Sequence, residues 1–523
     1  MISRVRAGAA GMLGLLLLGG GCSGGGGGDG PPTGPPVLTP PSRPSLPQTY
    51  RASGHAAAGH TFVHLFEWKW ADIAEECESV LGPAGYRVVQ VSPPQEHLVL
   101  AAAPWWQRYQ PVSYSLGRSR SGTAAGFTDM VGRCRAAGVD IYVDAVINHM
   151  TAGAGTGSNG TVYTKYNYPG LYSEPDFHSP CGVNDYSSAA NVQDCELLGL
   201  ADLNTGAASV QQKIADYLVS LVRLGVAGFR IDAAKHVQPV ELDAILDRVN
   251  QTLAAEGRPL PYWFAEVIDN GGEAVRREQY YGLAYGTGGA ADITEFRYRG
   301  VGERFTGSQK LSDLKNFSVA GWNLMPADKA VVFLENHDTQ RAGGIGYRDG
   351  QAFRLANVWM LAQPYGYPSV LSGYAFDRNS AAGRDMGPPS TGGATNDVVC
   401  AASLETAAAG GWVCEHRDPY IRGMVGFRRA VAGTDQGRWW DNGNNAIAFS
   451  RGDKGFVAIS RESAAVTVST PTGLSAGTYC DVLTGGKAGA GCAGASVTVD
   501  AAGAVQLSLP ANTAIAIHTG TKL

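Results

Sequence analysis

Residues 138–150 are GVDIYVDAVINHM, a short apolar run that ends in Asn148 and His149. Residues 226–232 (VAGFRID) and 330–338 (AVVFLENHD) repeat the arrangement, because polar side chains again follow an apolar run. Apolar runs of this length are typical of strands that are covered on both faces of a parallel sheet. The three stretches therefore predict parallel strands with polar residues gathered at their carboxyl ends.

Eight such apolar runs follow residue 55, and amphipathic segments separate them, which is the pattern of successive βα units. Residues 210–225 and 239–253 have apolar side chains at spacings of three and four, which predicts helices. Eight strands close a (β/α)8 TIM barrel, so we expect an α/β fold of that kind. A doubly wound open sheet is the alternative, although no glycine fingerprint opens a helix after the first strand. The runs are residues 61–66, 87–92, 138–146, 226–232, 262–267, 291–296, 330–336 and 367–373.

The remaining composition predicts two further domains. Residues 151–204 are rich in Gly, Tyr, Asn and Asp, which indicates a small domain inserted after the third strand. From residue 432 helical spacing gives way to alternating strands such as NAIAFSR and GFVAIS, so residues 432–523 predict an all-β C-terminal β-sandwich domain. The barrel would then comprise residues 55–150 and 205–431.

The first residues predict export. Residues 1–22 have a basic start and a short apolar run, which is typical of a secretory signal segment and too short for a membrane span. Cys22 follows three glycines and resembles the lipid-modified cysteine of bacterial lipoproteins, but Gly19 stands where that motif has a larger apolar residue. Secretion and a lipid anchor to the membrane at Cys22 both stay open. Residues 23–54 are rich in Gly and Pro and predict a linker.

Composition also limits the partners. The chain has 523 residues, of which 44% are hydrophobic and 17% charged, so it is globular with more than one domain. Lys and Arg number 41 against 46 Asp and Glu, without a long basic run, which argues against a nucleic-acid partner. Eight of the 9 cysteines follow Cys22, and an even set suits an oxidising, extracellular compartment.

Two charged residues stand out in GFRIDAAKH. Arg230 and Asp232 are two positions apart on a predicted strand, so both side chains point to the same face. A guanidinium beside a carboxylate favours the ionised form, which a nucleophile that attacks an anomeric carbon needs. The alternative is a purely structural ion pair.

Two further carboxylates end apolar runs. Glu266 follows YWFA, and burial against those side chains favours a protonated carboxyl that can serve as a general acid. A residue that binds a metal or supports the site is the alternative. Asp338 is suited to stabilising an oxocarbenium ion or orienting a sugar hydroxyl, and its alternative role is a helix N-cap.

An aromatic cluster lies between Pro104 and Pro111, outside any helical pattern. Flat apolar rings beside an amide are suited to packing against sugars, whereas a tryptophan pair inside a periodic segment belongs more often to a core. We therefore predict substrate-binding residues at Trp105, Trp106, Tyr109 and Gln110.

Seven segments resemble the α-amylase family of glycoside hydrolases in family order, specifically its animal-type branch with bacterial members. They are VHLFEWKW, QVSPPQEH, WWQRYQPVSY, IYVDAVINHM, GFRIDAAKH, FAEVIDNGGE and FLENHDTQR. The resemblance runs from about residue 58 to the C-terminus. It implies endohydrolysis of α-1,4 linkages in starch, glycogen and maltooligosaccharides with retention. Asp232 would be the nucleophile, Glu266 the acid/base and Asp338 the transition-state stabiliser. A silent carbohydrate-binding protein or a transglycosylase on the same fold is the alternative.

The resemblance also implies ligand residues. His149, His337 and Arg230 would bind the sugar at the scissile bond, and Lys235 and His236 the leaving-group side. Calcium would join the inserted domain to the barrel through side chains of Asn148 and Asp202 and main-chain carbonyls of Gln193 and His236.

The resemblance also bears on chloride binding and on the disulfide pairing. Arg230 and Asn336 match two chloride-binding positions of the family, but the third falls at Ser369, so we expect weak or absent chloride dependence. The implied disulfides are Cys77–Cys134, Cys181–Cys195, Cys400–Cys414 and Cys480–Cys492. We also expect a monomer.

Overall fold

A computed structural model of the protein describes residues 51–307 and 309–523. The predicted signal segment, Cys22 and the linker as far as residue 50 lie outside the described residues. Within the described part, no helix is both long and apolar enough to cross a membrane.

Eight parallel strands close a barrel, which confirms the predicted (β/α)8 fold over the open sheet. The first strand pairs with both the second and the eighth, with Phe62 opposite Val88 on one side and Ser369 on the other. The strands are β1 Phe62–Leu65, β2 Val88–Val91, β3 Asp140–Ala145, β4 Gly228–Ile231, β5 Tyr262–Ala265, β6 Asp292–Thr294, β7 Ala330–Val332 and β8 Tyr367–Ser372.

The strands are shorter than the apolar runs that predicted them. Strand β7 ends at Val332, yet Phe333 and Leu334 stay buried beyond it. A run of apolar residues indicates that a segment is buried, but it does not show where the hydrogen bonds between strands end. At the rim of the barrel, residues beyond the end of a strand are still covered by other parts of the protein. Asn336 and Asp338 consequently lie a few residues past the end of their strand, in the loops of the rim.

Helices pack around the barrel. In α3 the apolar residues Val210, Ile214 and Leu218 recur every four positions, and all three are buried. Pro239 and Pro419 begin two of the helices, where the missing N–H has no helical acceptor to lose. The longer helices are α1 Trp70–Glu76, α2 Ala124–Ala136, α3 Ala208–Arg223, α4 Pro239–Ala255, α5 Gln351–Ala362 and α6 Pro419–Ala430, and short ones are Gly82–Ala84, Ala189–Gln193, Glu303–Thr306, Thr339–Ala342 and Ala381–Asp385.

Aromatic rings fill the lower interior of the barrel. The ring centroid of Phe62 lies 5.6 Å from that of Phe264 and 4.8 Å from that of Tyr367. His55, which precedes β1, stacks on Tyr367 at 4.3 Å and covers this end. We therefore look for the substrate site at the opposite end, where the strands terminate.

The segment between β3 and β4 leaves the barrel and returns at one place. His149 pairs with Asp202 in an isolated bridge, and Leu203 donates to the carbonyl of Asn148 at 3.0 Å. Between these anchors the chain forms the short strands Gly155–Thr156 and Val162–Tyr163 and a local aromatic core.

The C-terminal part is all-β, as predicted, and its main sheet is buried on both faces. In β10, Ile447 and Phe449 pack with the barrel, while Ala448 belongs to a separate apolar core within this domain. Phe449 lies 5.5 Å from the ring of Trp359 on α5. The longer strands are β9 Gln436–Asp441, β10 Ala446–Arg451, β11 Gly455–Ser460, β12 Val466–Pro471, β13 Gly477–Cys480, β14 Ser496–Val499, β15 Ala504–Leu509 and β16 Thr513–His518, and two short ones are Lys487–Ala488 and Gly491–Cys492. The main sheet has the order β9-β10-β11-β16.

The described residues form four disulfides, and their pairing is the one that the family resemblance implies. Each closes a loop that the chain-entropy model counts as stabilising, by about 3 kcal/mol for a loop of some 15 residues. The pairs are Cys77–Cys134, Cys181–Cys195, Cys400–Cys414 and Cys480–Cys492.

Truncating Phe449 tests the docking of the C-terminal sheet. We expect Phe449→Ala to lower the free energy of unfolding by about 3 to 5 kcal/mol, because a fully buried ring between sheet and barrel is replaced by a cavity. Urea denaturation measures the change. Val399→Ala, at a residue that is 77% exposed, is the control and should be near neutral. Equal stability of Phe449→Ala and this control would refute the buried interface.

Candidate active site

One guanidinium organises the carboxylates at the mouth of the barrel. Arg230, on β4 and only 3% exposed, places Nη1 2.6 Å from Asp144 Oδ1 and 2.8 Å from Asp232 Oδ1. Its Nη2 lies 2.7 Å from Glu266 Oε1. Three carboxylates from three neighbouring strands thus converge on one buried cation, which offsets part of their mutual repulsion.

Glu266 is a buried carboxyl at the mouth of the barrel. Burial raises the pKa of Glu266 to about 8, and the carboxylates of Asp232 and Asp338 add to this effect while Arg230 opposes it. Its Oε2 accepts a hydrogen bond from the main-chain N–H of Ala233 at 3.0 Å. Ala233 has φ +48°, a conformation that costs a non-glycine residue energy and that turns this N–H toward the carboxyl. Glu266 can therefore carry a proton near neutral pH.

Asp338 is the most open of the three predicted acids, with 41% of its side chain exposed. It occupies the N-cap position of the helix Thr339–Ala342 but accepts no capping hydrogen bond. Its Oδ2 lies 3.4 Å from Nε2 of His337. Partial burial raises the pKa of Asp338, and Arg230 and then Arg341 oppose that rise. The carboxylate is accessible from the cleft, so the capping role is not its main one.

His337 is held between two aromatic rings. It stacks on Tyr109 at 5.0 Å with an interplanar angle of 11°, and on Phe66 at 5.0 Å with an angle of 24°. Burial, with help from Arg230 and Arg341, holds its pKa well below the usual range. His337 is therefore neutral at physiological pH.

The predicted aromatic platform forms one and a half turns of 3-10 helix, Trp105–Tyr109, although the sequence showed no helical pattern there. Trp105 and Trp106 stay partly exposed, and Trp105 Nε1 donates to the carbonyl of Arg384 at 3.0 Å. Tyr109 is buried and its hydroxyl donates to Asp144 Oδ2 at 2.9 Å. The two tryptophans are the exposed surface, and Tyr109 links them to the carboxylate cluster.

His149 and Gln110 are engaged with protein groups. His149 Nε2 donates to the carbonyl of Tyr109 at 3.0 Å, while Nδ1 faces the side-chain amide of Asn148 at 3.3 Å. Gln110 Oε1 accepts from the N–H of Ala152 at 3.1 Å. A sugar hydroxyl that binds to His149 must share its Nε2–H with Tyr109.

Lys235 and His236 follow the predicted nucleophile on a short 3-10 turn. Lys235 pairs with Glu273, donates to the carbonyl of Ile268 at 2.7 Å and lies over the partly exposed ring of Tyr186. His236 donates through Nδ1 to the carbonyl of Val192 at 2.8 Å. Lys235 thus borders the cleft, whereas the side chain of His236 faces the segment between β3 and β4.

Two contacts bring the predicted calcium ligands near one another. His236 donates to the carbonyl of Val192, which precedes Gln193, and Leu203, which follows Asp202, donates to the carbonyl of Asn148. Asp202 is 2% exposed; its Oδ2 accepts from His178 Nδ1 at 2.7 Å, but its Oδ1 is buried without a hydrogen-bond partner among the described residues. Burial raises the pKa of Asp202 to about 7. The described part holds no group of three or more His, Cys, Asp or Glu side chains placed to bind a metal. A cation here would therefore depend on carbonyl oxygens.

The three positions matched to chloride binding line one small cavity inside the barrel, of about 20 Å³. Arg230 and Asn336 are joined there by Ser369, which supplies a hydroxyl and no charge. Since the guanidinium already faces three carboxylates, its charge is largely balanced without an added anion.

Sequence reasoning missed two residues of this site. Asp144 lies inside β3 and is fully buried against Arg230 and Tyr109. The available signal was a lone carboxylate within an apolar strand, which requires a buried partner. Arg341 was missed because an arginine in a glycine-rich loop resembles a solvated residue; in the structure it is buried beside Trp105.

Comparison with known proteins agrees with this geometry. A family model described as "Alpha amylase, catalytic domain" matches residues 108–257, and one described as "Alpha amylase, C-terminal all-beta domain" matches residues 439–520. An α-amylase of Tribolium castaneum is 46% identical over 483 residues, covering 90% of this chain and 96% of that protein. Pancreatic α-amylase 2a5 of Mus musculus is 43% identical over 502 residues, covering 90% and 96%.

Solved structures give the same result. A mutant of α-amylase I from Eisenia fetida in complex with maltohexaose has a TM-score of 0.81 and 39% identity, and the match covers 90% of this chain and 98% of that one. The wild-type enzyme has a TM-score of 0.80 and 38% identity. With this identity across the barrel and the C-terminal domain, the chain belongs to the animal-type α-amylase family of glycoside hydrolases.

Proposed function

We propose that this protein hydrolyses internal α-1,4 linkages of starch, glycogen and maltooligosaccharides, with retention of anomeric configuration. The observation that carries the proposal is the shared contact of Asp232 and Glu266 with Arg230 at the open end of the barrel. A relative with the same fold binds maltohexaose, which supports a linear glucan as the substrate.

The first step uses the two carboxyls in different protonation states. Asp232 lies against Nη1 of Arg230 and attacks C1 of the sugar as a carboxylate. Glu266, protonated because of its burial, gives its proton to the glycosidic oxygen as the C1–O bond breaks. The leaving glucan departs with that proton, and the other product remains as an ester on Asp232.

The second step reverses the proton's path. Glu266, now ionised, takes a proton from a water molecule, and the hydroxide oxygen forms a bond to C1 as the ester to Asp232 breaks. Glu266 is thereby reprotonated and Asp232 is again a carboxylate. Asp338, exposed in the cleft, stabilises the positive charge that develops on the ring in both steps.

The substrate residues divide between the two sides of the scissile bond. Trp105 and Trp106 offer partly exposed rings on one side, and Lys235 with Tyr186 lies on the other. Rings that pack against sugars on both sides favour binding along a chain, which suits cleavage at internal linkages.

Replacing the general acid tests the proposal. We expect Glu266→Gln to lower kcat on soluble starch by about a hundredfold to ten-thousandfold, because an amide cannot give a proton to the leaving oxygen. Release of reducing ends and loss of iodine stain measure the activity of each variant.

The matched control is Glu256→Gln, at a surface glutamate that pairs with Arg223 and Arg258. It should retain full activity. A wild type that releases reducing ends without early loss of iodine stain would contradict internal cleavage, and inactivity of the wild type on starch and glycogen would favour a binding protein.

We infer that calcium binds at Asp202. The buried, unpartnered Oδ1 of Asp202 is a ligand that a hard cation prefers. Gln193 directs its side chain to Tyr280 and His236 directs its ring to Val192, which favours their main-chain carbonyls as ligands. Asn148 would complete the protein ligands. Bound calcium would neutralise Asp202 and fasten residues 151–204 to the barrel.

Chelation tests this assignment. We expect a calcium chelator to lower the unfolding temperature of the wild type by several degrees, because binding to the folded state is lost. Asp202→Asn should unfold at a lower temperature and respond little to added calcium in differential scanning calorimetry. The control Asp176→Asn, which changes a carboxylate paired with Lys213 in the same segment, should keep the calcium response. An unchanged calcium response of Asp202→Asn would refute the site.

Chloride is not required under this proposal. We expect activity to change by less than about twofold when chloride replaces gluconate at constant ionic strength, because a neutral Ser369 gives the anion little binding energy. A strong rise in the rate of reducing-end release would show that the cavity does bind a functional anion.

Extracellular action completes the proposal. Glucan polymers are too large to enter a cell intact, and four disulfides suit an oxidising compartment. Residues 1–22 would direct export, with a lipid at Cys22 as the alternative to release, and the enzyme would act as a monomer.

A further inference from the structure

Arg341 is a buried cation close to the catalytic carboxylates, and the mechanism above gives it no role. It lies three residues after Asp338 on the helix Thr339–Ala342 and is 7% exposed. Among the described residues its hydrogen bonds go to two main-chain carbonyls and one hydroxyl and to no carboxylate. A desolvated charge without a carboxylate partner costs energy, so its surroundings must provide another form of compensation.

Aromatic rings supply part of that compensation. The guanidinium carbon lies 4.5 Å from the ring centroid of Trp105 and 4.5 Å from that of Phe376. Phe66 and Tyr374 follow at 5.3 and 5.8 Å. Desolvated cation–π contacts of this kind stabilise a buried guanidinium. The cation is therefore enclosed by rings on several sides.

Three hydrogen bonds fix the orientation of the guanidinium. Nε donates to the carbonyl of Arg384 at 3.0 Å, Nη2 donates to the hydroxyl of Tyr374 at 2.9 Å, and Nη1 donates to the carbonyl of His337. The carbonyl of Arg384 also accepts the indole N–H of Trp105 at 3.0 Å. Arg341 and Trp105 thus share one acceptor, and the guanidinium lies over the indole ring.

We propose that Arg341 is a positioning residue that fixes the Trp105 platform and the His337–Asp338 segment relative to each other. This inference rests on the proposed function, because it gives a role to the platform and to Asp338. One planar group contacts both the surface that binds sugar and the main chain that carries the stabilising carboxylate. Movement of Arg341 would therefore displace both.

The charge of Arg341 also acts on Asp338. The charged and titratable groups that face Asp338 are Arg230, Arg341, His337, Glu266 and Tyr109. Removing the charge of Arg341 removes one of the two cations that oppose the upward pKa shift of Asp338. The carboxylate would then be protonated at higher pH, so the acidic limb of activity would move upward.

Lysine cannot replace Arg341 in this position. The guanidinium reaches three acceptors in one plane and stacks on flat rings, whereas an ammonium is a single strongly hydrated point charge. Arg341→Lys therefore keeps the charge and loses the orientation, and Arg341→Met loses both. The two variants separate the geometric effect from the electrostatic one.

Kinetics on maltoheptaose test the inference. We expect Arg341→Lys to raise KM about tenfold with a smaller change in kcat and an unchanged acidic limb, because the platform loosens while the charge remains. Arg341→Met should raise KM similarly and also shift the acidic limb of kcat to higher pH. Tryptophan fluorescence should report a changed Trp105 environment in both variants.

Arg348→Lys is the matched control. Arg348 lies over the rings of Tyr347 and Phe376 and donates to the carbonyl of Phe376, and its described contacts include neither Trp105 nor His337. This variant should keep the wild-type KM and acidic limb. If Arg341→Lys also kept the wild-type KM, the positioning role would be overturned. If Arg341→Met does not fold, the KM of Arg341→Lys and the control still decide.

Failure of this inference is distinguishable from failure of the proposed function. An inactive wild type would overturn the proposed function itself. An active wild type together with Arg341 variants that match the control would overturn only the role of Arg341.

Discussion

The arrangement of this active site depends on the contacts of Arg230 with Asp144, Asp232 and Glu266. Three carboxylates this close would repel one another strongly in a buried site, and the water that normally screens them is excluded. A guanidinium compensates better than an ammonium because its fork offers nitrogens in two directions at once. Strand β4 provides the place for it, since Phe229 and Ile231 pack outside the barrel and leave Arg230 on the inside.

The same cation allows two carboxyls to differ in protonation. Glu266 is buried and lies near two other carboxylates, so its pKa rises despite the contact with Arg230. Burial within its strand also raises the pKa of Asp144, to about 7. The chemistry needs one proton donor and one ionised nucleophile a short distance apart, and unequal desolvation around a single charge produces that inequality. Arg230 therefore balances the charge of the cluster, and the local packing decides where the proton resides.

Much of this architecture could be predicted from the sequence because it follows from burial. The eight apolar runs gave the barrel, and the polar residues after them gave Asp232, Glu266 and Asp338. The strand ends were less accurate, as β7 shows, because apolar residues continue past the last ladder hydrogen bond. Contacts between distant segments were not predictable: nothing local in the sequence places Asp144 against Arg230, 86 residues away, or Arg341 against Trp105. Such contacts depend on closure of the barrel.

A short segment after β4 links the parts of the site. Asp232 contacts Arg230, Ala233 gives its N–H to the side chain of Glu266, and Lys235 gives its N–H to the main-chain carbonyl of Glu266. One residue later, His236 donates to Val192 in the segment that is proposed to bind calcium. Two hydrogen bonds join the loop after β4 to Glu266, so displacement of one carboxyl would displace the other. The left-handed conformation of Ala233 is explained by this requirement: the chain must turn sharply after Asp232 to reach Glu266 and then His236, and the surrounding contacts hold it there.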